Sequence, residues 1–412
     1  MINEVVVEQH AEEAAFLWTQ RDRAVEGPNF RRKDLERWDE RVEAHLDGLR
    51  VAGRFGWQFC EKALEKEKPG EAFAAGVLAF GSGDPDRIKS VLKAGGSAAK
   101  LQRGLISALG WLPFSKVESI IKEFLGSELP AVRYVGIAAC AIHRRDPGQP
   151  LALALTDANP QLRARALKAC GELGRTNLLP AVLRAISDQD DSCRFFAAWS
   201  GARLGDRSAA VLKVLREIAM GKTRYAEPAF GMALRVMDLD QAKAWQRQLR
   251  SDAARLRLAA IAAEIIGDPA FVEDLIQLMK MPPVARIAGR AFAMITGVDL
   301  AYDDLDGDPP KDFQAGPSEN PEDENVAMDS DEHLPWPVPD RVAAWWKKNG
   351  NKFAPGKRYL LGKEITDASL REALAKGYQP QRAAAALELG LRQPTQPLFE
   401  VRARGGVQSE KS

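Results

Sequence analysis

Between Ala131 and Met220 apolar and polar positions recur three times in nearly the same order. The copies read AVRYVGIAACAIHRRDPGQPLALALTDANP, QLRARALKACGELGRTNLLPAVLRAISDQD and DSCRFFAAWSGARLGDRSAAVLKVLREIAM. Arg133, Arg163 and Arg194 open them at intervals of about 30 residues, and Gly174 and Gly205 close the first helix of the later two. A period of that length, read as helix, short turn, helix, predicts an all-α solenoid in which each repeat buries its apolar face against its neighbours.

The same periodicity extends in both directions. Residues 3–26 place Val6, His10, Ala14, Leu17 and Trp18 on one helical face, and Gly27-Pro28 ends that helix. Leu35, Trp38, Val42, His45, Leu46 and Leu49 recur at steps of three and four in a second helix. Together they predict a helical hairpin over residues 1–56 that caps the array, with His10 and His45 brought together across it. The array itself is expected over 57–301. Its Gly81-Ser82-Gly83-Asp84-Pro85 stretch follows no strand and lacks phosphate-loop spacing, so it reads as an inter-helix turn. Small residues at Ala138, Ala139, Ala166, Ala169, Ala197 and Ala198 allow close helix approach, and Gly110, Gly174, Gly205, Gly267 and Gly297 end first helices. The segments LRARALKACGELG and CRFFAAWSGARLGD resemble HEAT repeats of the short PBS-lyase type; the resemblance implies a HEAT-like α-α superhelix.

After residue 301 the pattern stops. Residues 302–339 are acidic and Pro-rich with almost no apolar periodicity, and predict an extended disordered linker. Asp303, Asp304, Asp306 and Asp308 lack the Gly and terminal Glu of a calcium loop. Residues 340–412 predict a small helical module in which Trp345 and Trp346 pack against the array.

Charge changes this picture, because a whole-chain net of +1 conceals blocks. Residues 1–96 carry 15 basic and 18 acidic side chains, and 97–301 carry 28 and 20. Residues 302–340 carry 1 and 13, and 341–412 carry 14 and 6. Second helices usually line the concave face of a solenoid, so Lys122, Arg184, Lys213, Arg216, Arg247, Arg250 and Lys280 are expected to form a basic stripe for a partner with an acidic surface. Nucleic acid is the alternative partner, weakened by the neutral whole chain and by the lack of an aromatic-plus-carboxylate cleft.

No HExxH, GxSxG, phosphate-loop or dinucleotide fingerprint occurs, and only four histidines are present. The expectation is therefore a non-enzymatic binding scaffold with no cofactor and no metal. A lyase or hydrolase built on His10 and His45 is the remaining catalytic alternative. Cys60, Cys140, Cys170 and Cys193 lack CxxC spacing and read as small core residues of a reduced chain. No apolar run approaches the roughly 18 residues that span a bilayer, and the start lacks a basic n-region followed by an apolar stretch; a cytoplasmic chain without membrane partners is expected.

The ends carry a closer likeness. VVEQHAEEAAFLWTQRDRAV, LERWDERVEAHLDGLRVAG, WW…RYLLGK and QRAAAALELGLRQPTQPLFE resemble an uncharacterised family of proteobacterial HEAT-repeat proteins whose genes tend to lie near type VI secretion genes. That resemblance implies an accessory role, handling an effector or spike-associated protein, and supplies no catalytic residues.

Overall fold

The computed structural model of the chain describes residues 3–96, 99–311, 313, 315–316 and 327–409, and is an all-α solenoid of paired helices with two short β-ribbons. It divides into two compact units: unit 1, Met1–Ala229 with Leu374–Ser412, and unit 2, Phe230–Ala373.

Unit 1 begins with the expected hairpin, α1 (Glu4–Ala24) and α2 (Arg32–Val51). The buried face of α1 starts one residue later than the sequence pattern suggests: Val7 is buried and Val6 is 45% exposed. Next come α3 (Arg54–Ala63), α4 (Pro69–Ser82), α5 (Pro85–Gly96), α6 (Ala99–Trp111) and α7 (Phe114–Leu125). The Gly81–Pro85 stretch is a turn, in which Gly83 caps α4 and the Asp84 carboxylate accepts from the first amides of α5. The three repeats follow as α8 (Pro130–Ile142), α9 (Gln149–Ala154), α10 (Pro160–Leu173), α11 (Leu179–Arg184), α12 (Asp191–Arg203) and α13 (Ala209–Ala219).

Local chemistry sets each repeat. Pro130 and Pro160 occupy the first turn, where a missing N–H costs nothing, and the Asn159 and Asp190 side chains accept from Leu162 N and Cys193 N. The arginines that open the first two copies tie the start of each copy to its own end and to the turn before it. Arg133 holds Asp157 at 2.6 Å, and Arg163 holds Asp188 through two contacts of 2.9 Å. Both also donate to carbonyls of the preceding turn, at Ser127 and Asp157 respectively. The small residues of α8, α10 and α12 are buried, so the three helices stack directly on one another. All four cysteines are buried and unbridged.

Unit 2 contains the rest of α14 (Ala226–Val236), then α15 (Leu239–Arg250), α16 (Leu256–Ile266), α17 (Val272–Leu278), α18 (Ala285–Thr296), α19 (Pro339–Asn349) and most of α20 (Asp367–Lys376). Trp345 and Trp346 meet the buried Phe292 ring edge-on at 5.6 and 6.4 Å, packed against the array as expected. Within 302–339 the described ends are folded. β1 (Asp306–Gly307) pairs antiparallel with β2 (Trp336–Pro337), and Asp329 and Asp331 are ion-paired to α18 and α16. The expected linker thus has anchored ends, because paired aspartates lose their preference for water; its middle lies outside the described residues.

The C-terminal module also differs from its expected extent. Residues 374–412 belong to unit 1, where α21 (Gln379–Arg392) and α22 (Gly405–Ser409) pack. The cause is a set of buried polar ties. Arg382 is fully buried and donates to Leu374 O, Gln379 and Gln408, while Gln379 N donates to Phe30 O at 2.7 Å.

Candidate binding cavity

Unit 1 encloses a cavity of about 610 Å³. Its walls are the first helices of the repeats, each contributing one face at helical spacing. Arg103, Ser107 and Trp111 come from α6, Tyr134 and Ala138 from α8, and Gln161, Arg165, Lys168 and Glu172 from α10. α1 adds Trp18, Arg21 and Asp22, the start of α12 adds Ser192 and Phe196, and Arg224 and Tyr225 complete one rim. Trp18 stacks on Phe73 at 4.9 Å, and the Phe73 ring meets Trp111 edge-on at 5.2 Å, which fixes two aromatic walls.

The remaining wall is the C-terminal segment 393–405, which runs across the ends of the first helices like a strap. Arg203, fully buried at the end of α12, donates to Gln393 O and Gln396 O. Leu398 N donates to Glu172 O at 2.8 Å. Arg144 donates to Leu398 O at 2.6 Å and pairs with Glu400 at 3.1 Å. Arg21 donates to Arg402 O and Ala403 O, and its partner Asp39 accepts from Gly405 N. The helix ends are shaped for this passage. Gly174 has φ +66°, and a Cβ there would sit 2.7 Å from Gln396 O. At the corresponding end of α8 stands Arg144 with φ +56°, a conformation disfavoured for a side chain but held by its two strap contacts.

Seven cationic side chains line the cavity against four carboxylates. Asp22 takes Arg103 and Arg402, and these two outweigh its burial to hold its carboxyl below the usual range. Glu172 is half-buried, and Arg165, Lys168 and Arg144 reverse the effect of desolvation and lower its pKa to about 2. Lys168 is 3.6 Å from Glu172 with its side chain 41% open to the cavity. Glu172 pulls the Lys168 ammonium upward, yet burial and Arg165 prevail and lower it. Arg165 is 8% exposed, and its Nε has no hydrogen-bond partner among the described residues. Lys168 lies over the Phe196 ring at 5.5 Å, that ring meets Tyr225 at 5.5 Å, and Arg224 lies over Tyr225 at 4.9 Å. Arg224 donates to the Tyr225 hydroxyl, which in turn donates to Ser192.

The expected basic stripe is placed elsewhere. Lys122, Arg184, Lys213 and Arg216 are exposed on second helices of unit 1, and none lines the cavity. Arg247 and Lys280 are exposed in unit 2, and Arg250 is half-buried. The cavity is walled instead by the first helices α6, α8 and α10 and the start of α12, while Lys122, Arg184, Lys213 and Arg216 lie on exposed faces of second helices. The cavity residues sit at i, i+3, i+4 and i+7 within QLRARALKACGEL. Charged residues on a first-helix face among buried alanines are the signal that marks them.

His10 and His45 do meet, with Nδ1 atoms 3.1 Å apart. Burial and His10, opposed by Glu13, hold His45 below its ordinary pKa. No third ligand joins them: among the described residues no group of three His, Cys, Asp or Glu side chains is arranged to hold a metal.

In unit 2 the first-helix face is occupied. Arg257 of α16 grips Asp331 with contacts of 2.5 and 2.7 Å, Arg286 of α18 holds Asp329, and Arg290 pairs with Glu264 at 2.9 Å. Arg286 also lies over Phe313 and Trp336 at 5.7 and 5.4 Å. The Arg257 hydrogen bond overcomes burial and lowers the Asp331 pKa; at Asp329 burial is outweighed by the Asp331 amide and Arg286.

Residues 148–235 match the family model of HEAT repeats, which supports a HEAT-repeat protein. No curated protein matches the chain in sequence. Among solved structures, that of an engineered protein is similar at 14% identity over 95% of this chain and 99% of its own, with a TM-score of 0.33. Among the described residues no helix is long and apolar enough to cross a membrane.

Proposed function

We propose that this chain is a non-enzymatic scaffold that binds a partner protein through the cavity of unit 1. A HEAT-repeat fold fits a protein-interaction role. One observation carries the rest: the strapped cavity presents aromatic walls and more cations than carboxylates, without a histidine or cysteine among its lining residues. Its volume suits a short segment of a partner, and the surrounding first helices supply the wider contact that a stable protein interface needs. The likeness at the two chain ends makes an effector or spike-associated protein of type VI secretion the partner class, and the cytoplasm the place of encounter. Nucleic acid fits less well, because Asp22, Glu172, Asp190 and Glu400 interrupt the cationic wall.

Site-specific photo-crosslinking in the native host tests this. A crosslinker at Ser107, on the cavity wall, is expected to capture a protein, and one at Lys213, on a second helix, is not. Capture at Lys213 alone, or of nucleic acid at Ser107, refutes the reading.

A further inference from the structure

Resting on that scaffold reading, we infer that the cavity recognises an acidic peptide segment, with one carboxylate set at Lys168 and a second at Arg224 across the Phe196–Tyr225 aromatic ridge. Three observations converge. Arg103 and Arg402 hydrogen-bond to the Asp22 carboxylate they share, whereas Lys168 stands 3.6 Å from the Glu172 that Arg165 holds, and Arg224 has a phenol hydroxyl as its hydrogen-bond partner. These two cations are therefore the least satisfied in the wall. Beside them Arg165 is more than nine-tenths buried with an Nε lacking any acceptor among the described residues. Arg165 and Lys168 together place two cations on the one Glu172 carboxylate, and the unbalanced charge favours an incoming carboxylate.

The third observation is that the chain makes such a complex with itself. In unit 2 the segment Asp329-Ser330-Asp331 lies on first-helix arginines, and one of these, Arg286, also stacks on aromatic rings. The ingredients in unit 1 correspond: cations on and beside first helices, and aromatic rings beneath them. Two carboxylates spaced one residue apart along an extended chain point the same way, some 6–7 Å apart. Such a pair can address two cations set around an aromatic ridge, while the four wall carboxylates repel a continuous phosphate backbone.

The test uses the full-length chain and a fluorescein-labelled peptide of residues 327–334, AMDSDEHL, in anisotropy titrations at low salt. Its counterpart with Asp329→Asn and Asp331→Asn is the control. We expect the acidic peptide to bind at least about tenfold more tightly than the control. Lys168→Gln with Arg224→Gln should weaken it by a similar factor, and Ser107→Trp, which fills the cavity from a half-buried position, should abolish it. Undiminished binding to the Lys168/Arg224 double variant overturns the inference. So does loss of binding only in Arg257→Gln/Arg286→Gln, stronger competition by inorganic phosphate or oligo-dT than by unlabelled peptide, or no peptide binding at all. Circular dichroism of each variant separates loss of the site from loss of the fold. If Ser107 still crosslinks a protein while the double variant binds peptide normally, the scaffold reading survives and the carboxylate site alone fails.

Discussion

The two units build the same device and finish it differently. In unit 1 a strap, 393–405, crosses the ends of α8, α10 and α12; in unit 2 the segment 358–362 crosses the ends of α16 and α18. There Tyr359 N donates to Gly267 O at 2.8 Å, Leu361 N to Met294 O at 2.7 Å, and Arg358 Nε to Ile266 O at 3.0 Å. Gly267, with φ +72°, leaves the approach open, since a Cβ would lie 2.5 Å from Tyr359 O. The first-helix faces then diverge. Unit 2 pairs its arginines with aspartates from its own chain, whereas in unit 1 Lys168 and Arg224 line the cavity. Intramolecular pairing is favoured by effective concentration, so the occupied face shows what the open face is chemically suited to hold.

Breaking the strap of unit 1 gives the largest expected effect. Asp39→Ala strands the buried Arg21 guanidinium, 2.8 Å from the lost carboxylate, and removes the acceptor of Gly405 N. A destabilisation of about 3–5 kcal/mol is expected in denaturant titrations, and a loss below about 1 kcal/mol contradicts a strap held by that pair. Removing the occupant of unit 2 comes next. Asp331→Ala should cost about 2 kcal/mol, because Arg257 is partly open to solvent and recovers hydration, and should leave Asp39-dependent stability unchanged.

A pH dependence sharpens the contrast further. Glu172 has a folded-state pKa of about 2 against an ordinary 4.5, so it stabilises the fold fully above about pH 4.5 and loses that contribution as pH falls towards 2. Glu172→Gln should flatten the stability profile in that window; an unchanged slope refutes the Arg165–Glu172–Lys168 arrangement. Asp329 and Asp331 act in the same direction, since their depressed pKa values place their contribution above the ordinary carboxylate range and remove it on acidification. The smallest effect belongs to Arg144→Gly. Glycine relieves the left-handed backbone but forfeits the contacts to Leu398 and Glu400, for a net loss of about 1 kcal/mol. Amide exchange at 398–403 should quicken more than anywhere in unit 2.

The scaffold was legible in the repeat because helical periodicity, Pro at first turns and Gly at helix ends are local properties. The hairpin, the histidine contact and the packing of Trp345 and Trp346 were legible for the same reason. The cavity was not, since it is closed by the distant segment 393–405, and which helix faces line it depends on that packing rather than on any local property of the repeat. Residues 374–412 escaped because their ties join positions such as Arg382 and Phe30 to no local pattern. Asp329 and Asp331 looked like any other acids of a Pro-rich stretch; only their distant arginines distinguish them.

The strap has a consequence for the order of assembly. Arg21 meets Arg402 across 381 positions of sequence, whereas a solenoid ordinarily folds through contacts between adjacent repeats. In sequence, unit 2 is therefore an insertion inside a loop that closes only after the segment 393–405 has been made. Until then the N-terminal repeats stack with an unlatched edge, and the cavity has no far wall. Removing the chain from residue 401 onward, α22 included, should thus leave the repeats standing but the binding chamber unfinished, so competence to bind waits on a segment made long after the repeats.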